Sequence, residues 1–415
     1  MPSEPDLASW VSDNAVHLDP ENVAAADVNL LSGLDEALGG KRFAFVGESN
    51  HFIHEKYGYR ILLARYLVSR GFRVIGEELS WSDGIRVGRY LDTGNALWLD
   101  RVTAYGYRGD ERDDRDDTPT GLLDEGWGKT NPAFVAEQVR WADALRELGN
   151  VRFFGFDVDY QPPSGYLHVY EWLEGPDADL RSAFERVPGE SIDDEHSRLT
   201  RACELVDEHR PELEAQLGSR GFAELARSAT TLRDSHRYAA TSFAAKTYEE
   251  LRAPMALRET VMCSHVDHVI GREGPGMRIA LFSHNLHLSR DDSRIGDLSG
   301  GVGPGGGRTD CLGTYLAKLY PDEVFAIWML EHEGNHSSPM VSLGRTVEPA
   351  PGTLNADLAG FGEAFVVPTR SMNGAEGPFD HERYVVMMHG SRVKSRVAEQ
   401  ADAVFFQRRV SPLRS

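Results

Sequence analysis

The chain has 415 residues, with 44 lysines and arginines against 65 aspartates and glutamates, for a formal net charge of −21. That balance repels phosphate backbones and anionic membrane surfaces, so nucleic acid and membrane are excluded as expected partners and a small molecule is favoured. The length suits a main α/β domain carrying a substantial insertion.

The opening MPSEPDLASWVSDNAVHLDP has no basic end followed by an apolar run, and no stretch of about 18 apolar residues follows anywhere. A cytoplasmic protein is the expectation. The first strand is RFAFVGE from Arg42, followed by a turn holding Glu48, Ser49, Asn50, His51, His54 and Glu55. Ser49 and Asn50 are placed to cap a helix starting near Phe52. ILLARYLVSRGF then carries apolar residues at helical spacing and stops at Gly71. FRVIGEE from Phe72 completes a βαβ unit ending in Glu77 and Glu78, and VRFFGFD from Val151 is a third strand, ending towards Asp157 and Asp159. Between them GDERDDRDDTP, residues 109 to 119, reads as a solvated segment, flanked by Tyr105, Tyr107 and Trp127.

From about Tyr166 to Ile270 the pattern is helical, rich in Glu, Arg, Ala and Leu. Sheet-like runs return as RIALFSH from Arg278, VFAIWML from Val324, RYVVMMH from Arg383 and DAVFFQ from Asp402. The fold class is therefore α/β, a mostly parallel central sheet flanked by helices with an inserted helical subdomain. Residues 1–160 supply the first part of the core, 161–272 the insertion covering the site, and 273–415 the second part. The glycine-rich GDLSGGVGPGGGRTD, residues 296 to 310, has neither GxxxxGK[ST] nor GxGxxG and reads as a flap. Cys203, Cys263 and Cys311 stand far apart without CxxC spacing, which points to neither a disulfide framework nor a zinc knuckle.

In an open α/β sheet the ligand crevice lies beyond the carboxyl ends of the strands. Glu48, His51, Glu77, Glu78, Asp157, Asp159, Ser283, His284, Asn285 and His287 all fall there. Carboxylates and imidazoles brought together shift one another's pKa values and divide acid and base roles. Gly47-Glu48-Ser49-Asn50-His51 also approaches the G-x-S-x-G nucleophile elbow, but a histidine occupies the second glycine position and disfavours Ser49 as a nucleophile.

The combined set resembles the erythromycin esterase family. GESNHFIHEKYGYR is similar to that family's GES-T-H-x-x-x-E-F segment with a downstream arginine, and FRVIGEELSWSDG, through Asp83, to its strand ending in Glu with an acidic-Gly pair. RETVMCSHV from Arg258 resembles its Arg-Asp-x-x-Met-x-x-Asn helix, and LFSHNLHL its His-Asn-x-His strand end. Asn50, Glu259 and His265 depart from the family's Thr, Asp and Asn. The resemblance implies ester or lactone hydrolysis by activated water, an α/β core with a helical subdomain over the site, and a site lined by Glu48, His51, Arg60, Glu78 and His284.

Within that scheme His51 is the candidate general base, since an imidazole titrates near ~6.5. Glu48 and Glu78 are candidates to raise its basicity, Arg60 to hold Glu78 or face the oxyanion, and His284 to donate to the carbonyl oxygen or protonate the departing alcohol. Asp157, His287, Asn285, Arg258, Glu55 and Asp83 are expected to bind substrate or orient these groups, with His54 and His265 as further supports. No cofactor is expected. Without an HExxH-type pair the sequence does not require a metal, although Glu48, His51, Glu78 and His284 would be its ligands if one were used. A biosynthetic member performing cyclisation, acyl transfer or elimination on a secondary metabolite remains an alternative, and the oligomeric state is open.

Overall fold

The computed structural model describes residues 6–102, 132–159, 168–173, 178–185, 187, 189–296, 310–338, 345–370, 376–387 and 390–414. The 109–119 segment, Tyr105, Tyr107, Trp127 and most of the 296–310 loop lie outside the described residues. The apolar runs fold as strands: β1 Val16–His17, β2 Phe43–Glu48, β3 Val74–Ser80, β4 Arg152–Asp157, β5 Ile279–His284, β6 Val324–Asn335, β7 Thr346–Val347, β8 Ala364–Pro368, β9 Arg383–Val386, β10 Arg392–Ser395 and β11 Ala403–Val410. Strands β2, β3 and β5 are buried at every residue, as expected for continuous apolar runs covered on both faces of a parallel sheet.

The main sheet has the order β1-β8-β11-β6-β2-β5-β3-β4, with β7 added to β6. From β11 through β4 the neighbours are parallel, and β1, β7 and β8 join antiparallel. Side chains of β2 alternate between two cores. Ala44 and Val46 pack with the helices Glu55–Ser69 and Pro132–Leu148, whereas Phe43 and Phe45 pack with Tyr248–Glu273 and Leu312–Leu319. The close approach of helix Trp81–Thr93 to β4 depends on Gly84, because a Cβ there would meet the Gly155 backbone nitrogen at 1.8 Å. Helices Ile192–Glu208 and Arg210–Ala244 build a separate apolar cluster around Leu199, Val206, Phe222 and Leu225.

Three sequence expectations change. RYVVMMH does not rejoin the central sheet: β9 pairs with β10 in a two-stranded antiparallel sheet, and its first residues Arg383 and Tyr384 are only partly buried. The segment AFVVP, not anticipated as a strand, forms β8, whose Pro368 is tolerated at the strand end. The helix after β2 begins at Glu55 rather than Phe52 and has His54, which makes no side-chain capping bond, at its N-cap. Ile53 is instead bridged to Pro412, and Asn50 Oδ1 accepts the Phe52 N–H at 3.0 Å. Gly71 does follow the helix end, with φ +92.

Candidate active site

Parallel pairing aligns the strand ends, so Glu48 of β2 sits opposite His284 of β5 in register. The turn after β2 carries His51 back over these ends, where it is 7% exposed. Its Nδ1–H donates to Glu48 Oε1 at 2.9 Å, leaving Nε2 directed towards Glu78 Oε1, 3.7 Å away. Glu48 is itself buried and also accepts from Lys56 Nζ at 3.3 Å and Arg60 Nε at 2.7 Å. Burial alone would raise its pKa, but the charges of Arg60 and Lys56 and the bond from His51 hold it far below the usual carboxylate range. The proton between Glu48 and His51 therefore belongs to the imidazole, and Nε2 is the basic nitrogen.

A register irregularity in β3 past Glu77 accompanies the split between two adjacent glutamates. Glu77 bonds Arg60 Nη1, Trp141 Nε1 at 3.0 Å and Gln138 Nε2 at 3.3 Å on one face. Glu78 faces His284 and Arg258 on the other. Its Oε2 accepts from Ser283 Oγ at 2.6 Å and the His284 N–H at 2.8 Å, and its Oε1 from Arg258 Nη2 at 2.7 Å. Burial would raise the Glu78 pKa, yet the charges of His51, His287 and Arg258 and the Ser283 bond keep it well below the carboxylate range. Arg258 also grips Asp157 through two bonds, Nε–Oδ1 at 2.8 Å and Nη2–Oδ2 at 2.6 Å. Arg60 thus holds Glu48 and Glu77, and the guanidinium on Glu78 is that of Arg258, contrary to the expectation that Arg60 would hold Glu78.

His287 repeats the arrangement of His51 from the other side. Its Nδ1–H donates to Glu259 Oε1, and its Nε2 lies 3.5 Å from Glu78 Oε1 and 3.1 Å from Arg258 Nη1. Glu259 Oε2 accepts the Leu312 N–H at 3.0 Å at the start of helix Leu312–Leu319. Burial pushes the His287 pKa down and Arg258 opposes its charge, but Glu259 and Glu78 prevail and the net direction is upward. Two histidine–glutamate pairs therefore converge on one oxygen of Glu78.

His284 lies beside His51, ring centroids 5.3 Å apart, but both its nitrogens are committed. Nδ1 accepts the Leu286 N–H at 3.2 Å, which places the proton on Nε2, donating to the Ser49 carbonyl at 3.1 Å. Burial, with His51 adding to it, lowers its pKa to about 3, so the ring is neutral and its proton is already engaged. Asn285 Nδ2 donates to the Met329 carbonyl at 3.0 Å, and Gly47 leaves room for this side chain, since a Cβ there would meet Asn285 Oδ1 at 2.2 Å. Glu55 clamps Ser411 through its N–H at 2.8 Å and Oγ at 2.6 Å. Asp83 accepts from Ser80 Oγ at 2.8 Å and Arg86 Nη1 at 3.2 Å. Ser82 Oγ donates to the neighbouring Asp159 at 2.8 Å, and burial and the Asp83 charge raise Asp159 to about 6. His54 pairs with Glu137, and His265 is packed on Trp81 with bonds to Thr231 and the Phe156 carbonyl. These residues brace the loop and the neighbouring elements; they do not join the cluster around Glu78.

Sequence reasoning missed Lys56 and Glu331. Glu331 on β6 is buried and accepts from Ser49 Oγ, and burial, reinforced by the charge of Glu48, lifts its pKa to about 8. The strand-end rule that selected Glu48 and Glu78 also selects Glu331, which directly follows VFAIWML. As a ligand set for a divalent cation, Glu48, His51, Glu78 and His284 do not fit. Both His284 nitrogens and both Glu48 oxygens are engaged, and a cation at Glu78 would face the Arg258 guanidinium. Two cavities, of 290 Å³ beside Arg383, Tyr384 and Lys394 and of 480 Å³ beside Glu333, Glu348 and Arg409, include none of the cluster in their lining. Among the described residues no helix is long and apolar enough to cross a membrane.

A family model described as erythromycin esterase matches residues 68–410, which takes in Glu78, Asp157, Arg258, His284 and His287 and begins after the His51 loop. Three solved structures share the fold over nearly the whole chain. A Bacillus cereus protein is 16% identical, with TM-score 0.70 and 98% of each chain covered. A succinoglycan biosynthesis protein is 15% identical, with TM-score 0.67 and coverage of 97% of this chain and 96% of that one. A histidine-to-asparagine mutant of the erythromycin esterase EreC, in its open conformation, is 18% identical, with TM-score 0.64 and coverage of 96% and 97%. No curated protein sequence matches the chain.

Proposed function

The chain belongs to the erythromycin esterase family, and on that premise we propose that it opens an ester or lactone of a small molecule with water activated by His51. The observation that carries this reading is the fixed tautomer of His51, with Nδ1–H on an ionised Glu48 and Nε2 turned towards Glu78 at the strand ends. Water held near Nε2 gives its proton to the imidazole as its oxygen bonds to the carbonyl carbon, and the carbonyl π pair moves to oxygen. Arg258 and His287, cationic or readily so, flank the same Glu78 oxygen and supply positive potential for the developing oxyanion. Collapse breaks the bond to the alkoxide, which takes the proton from the His51 imidazolium or from His287. His284 serves as a neutral wall that holds the Ser49 carbonyl. Ser49 forms no acyl intermediate in this scheme, its hydroxyl being held by Glu331.

The test is turnover of a panel of acyl esters and macrocyclic lactones, followed by mass spectrometry. Gain of one water by a panel member supports hydrolysis. Net loss of water, or transfer of the acyl group to a second metabolite, would replace this reading with a biosynthetic one.

A further inference from the structure

Lys56 is wholly buried in the first turn of helix Glu55–Ser69, and its ammonium lies 3.3 Å from Glu48 Oε1. That oxygen is the one that accepts the His51 Nδ1–H at 2.9 Å. A buried lysine is costly unless its charge is answered, so its neighbours indicate what holds it there. Glu48 faces it from β2 and Glu77 from β3, Arg60 lies one helical turn further on, and the Tyr57 ring centroid is 4.9 Å from Nζ. Glu331 of β6 feels the charge of Glu48 as well. Among the described residues two carboxylates, Glu48 and Glu77, thus meet two cations, Lys56 and Arg60. His51 joins them through the shared Glu48 oxygen, while its Nε2 faces Glu78 Oε1 at 3.7 Å and its ring lies 5.3 Å from that of His284. Burial lowers the lysine to about 8 against the pull of Glu48, leaving it charged at neutral pH.

We propose that Lys56 is a positioning residue for the His51 base: by sharing Glu48 Oε1 it offsets part of that carboxylate's charge and so limits how readily the imidazole takes up a proton. A histidine paired with an uncompensated buried carboxylate gains a proton more readily. With Lys56 removed, Arg60 alone of this pair would answer Glu48, and His51 would take up a proton more readily and be less available to accept one from water. The residue touches neither substrate nor reacting atoms and acts through Glu48. Its catalytic consequence rests on the reading of His51 as the base, whereas its effect on the His51 proton does not.

The test is an NMR titration of the histidine imidazoles in the full chain, with His51 assigned by its disappearance in His51→Gln. In Lys56→Met the His51 midpoint is expected to rise by about one pH unit or more, whereas Lys56→Arg, which keeps the charge, holds it near the wild-type value. The wild type is also expected to show a second, alkaline inflection of the His51 resonances as Lys56 loses its proton. Lys56→Arg lacks that inflection because a guanidinium stays protonated. Should Lys56→Met fail to fold, the wild-type inflection and its loss in Lys56→Arg decide the matter. A folded Lys56→Met with the wild-type midpoint, or a wild type with no alkaline inflection, overturns the proposal. A raised midpoint in a variant whose ester turnover keeps its wild-type pH profile would uphold the inference and count against His51 as the base.

Discussion

Charge is handled in opposite ways at the strand ends and along the helices from Ile192 to Glu273. In the helices Arg201 pairs with Glu204 and Glu208, Arg210 with Asp207 and Arg252 with Glu249, on side chains largely open to water. At the strand ends Glu48, Glu77 and Glu78, together with Arg60 and Arg258 that reach them from helices, are buried and each makes at least two bonds. Solvent and salt screen the first group, while the second is satisfied by buried protein groups. Counting ion pairs would rank the helices as the better stabilised region. Burial ranks the strand ends as the region where removal of one partner is felt throughout.

The most severe challenge to this contrast is Arg60→Ala, which takes from Glu48 and Glu77 the cation they share. Loss of one partner from a buried pair costs about 3–5 kcal/mol, so urea unfolding should show a large fall in the midpoint. A midpoint equal to the wild type would mean that water reaches these carboxylates. A pH series on Glu331 probes the buried side further. This carboxyl keeps its proton to about pH 8 when folded and loses it near ~4.3 when unfolded. Between those values the folded state binds more protons, so its contribution to stability falls as pH rises. Glu331→Gln should remove that slope, gaining on the wild type by up to about 1.4 kcal/mol per pH unit over the window. Parallel curves for the two proteins would refute the raised pKa. The smallest effect is expected of Arg201→Ala, whose unfolding midpoint should match the wild type, and a marked loss there would erase the distinction between the regions.

What the sequence disclosed follows the same division. Strand ends were legible because a continuous apolar run closing on a carboxylate or histidine is a pattern that surface helices and loops seldom produce; β2, β4 and β5 ended where expected and β3 ran two residues further, to Ser80. Lys56 was not legible, because a lysine in the first turn of a helix ordinarily points to water, and only the packing of that helix against β2 and β3 seals it in. The exchange of roles between Arg60 and Arg258 was equally hidden, since it depends on which face of β3 receives Glu77 and which Glu78. β8 was hidden because five residues ending in proline resemble a turn as much as a strand, and RYVVMMH misled because β propensity does not specify which sheet a segment joins. Glu55 and Asp83 fell in the right stretch of chain but hold Ser411 and Arg86 instead of the Glu78 cluster.

The proposed chemistry turns on His51, fixed by Glu48, taking the proton from water. The direct measurement is the turnover number of His51→Gln on whichever ester or lactone the wild type hydrolyses, with thermal unfolding recorded on the same samples. Loss of the base should lower kcat by about 10²-fold or more, the scale of lost general-base catalysis, with the fold retained. A folded His51→Gln that turns over at the wild-type rate would contradict that role for His51.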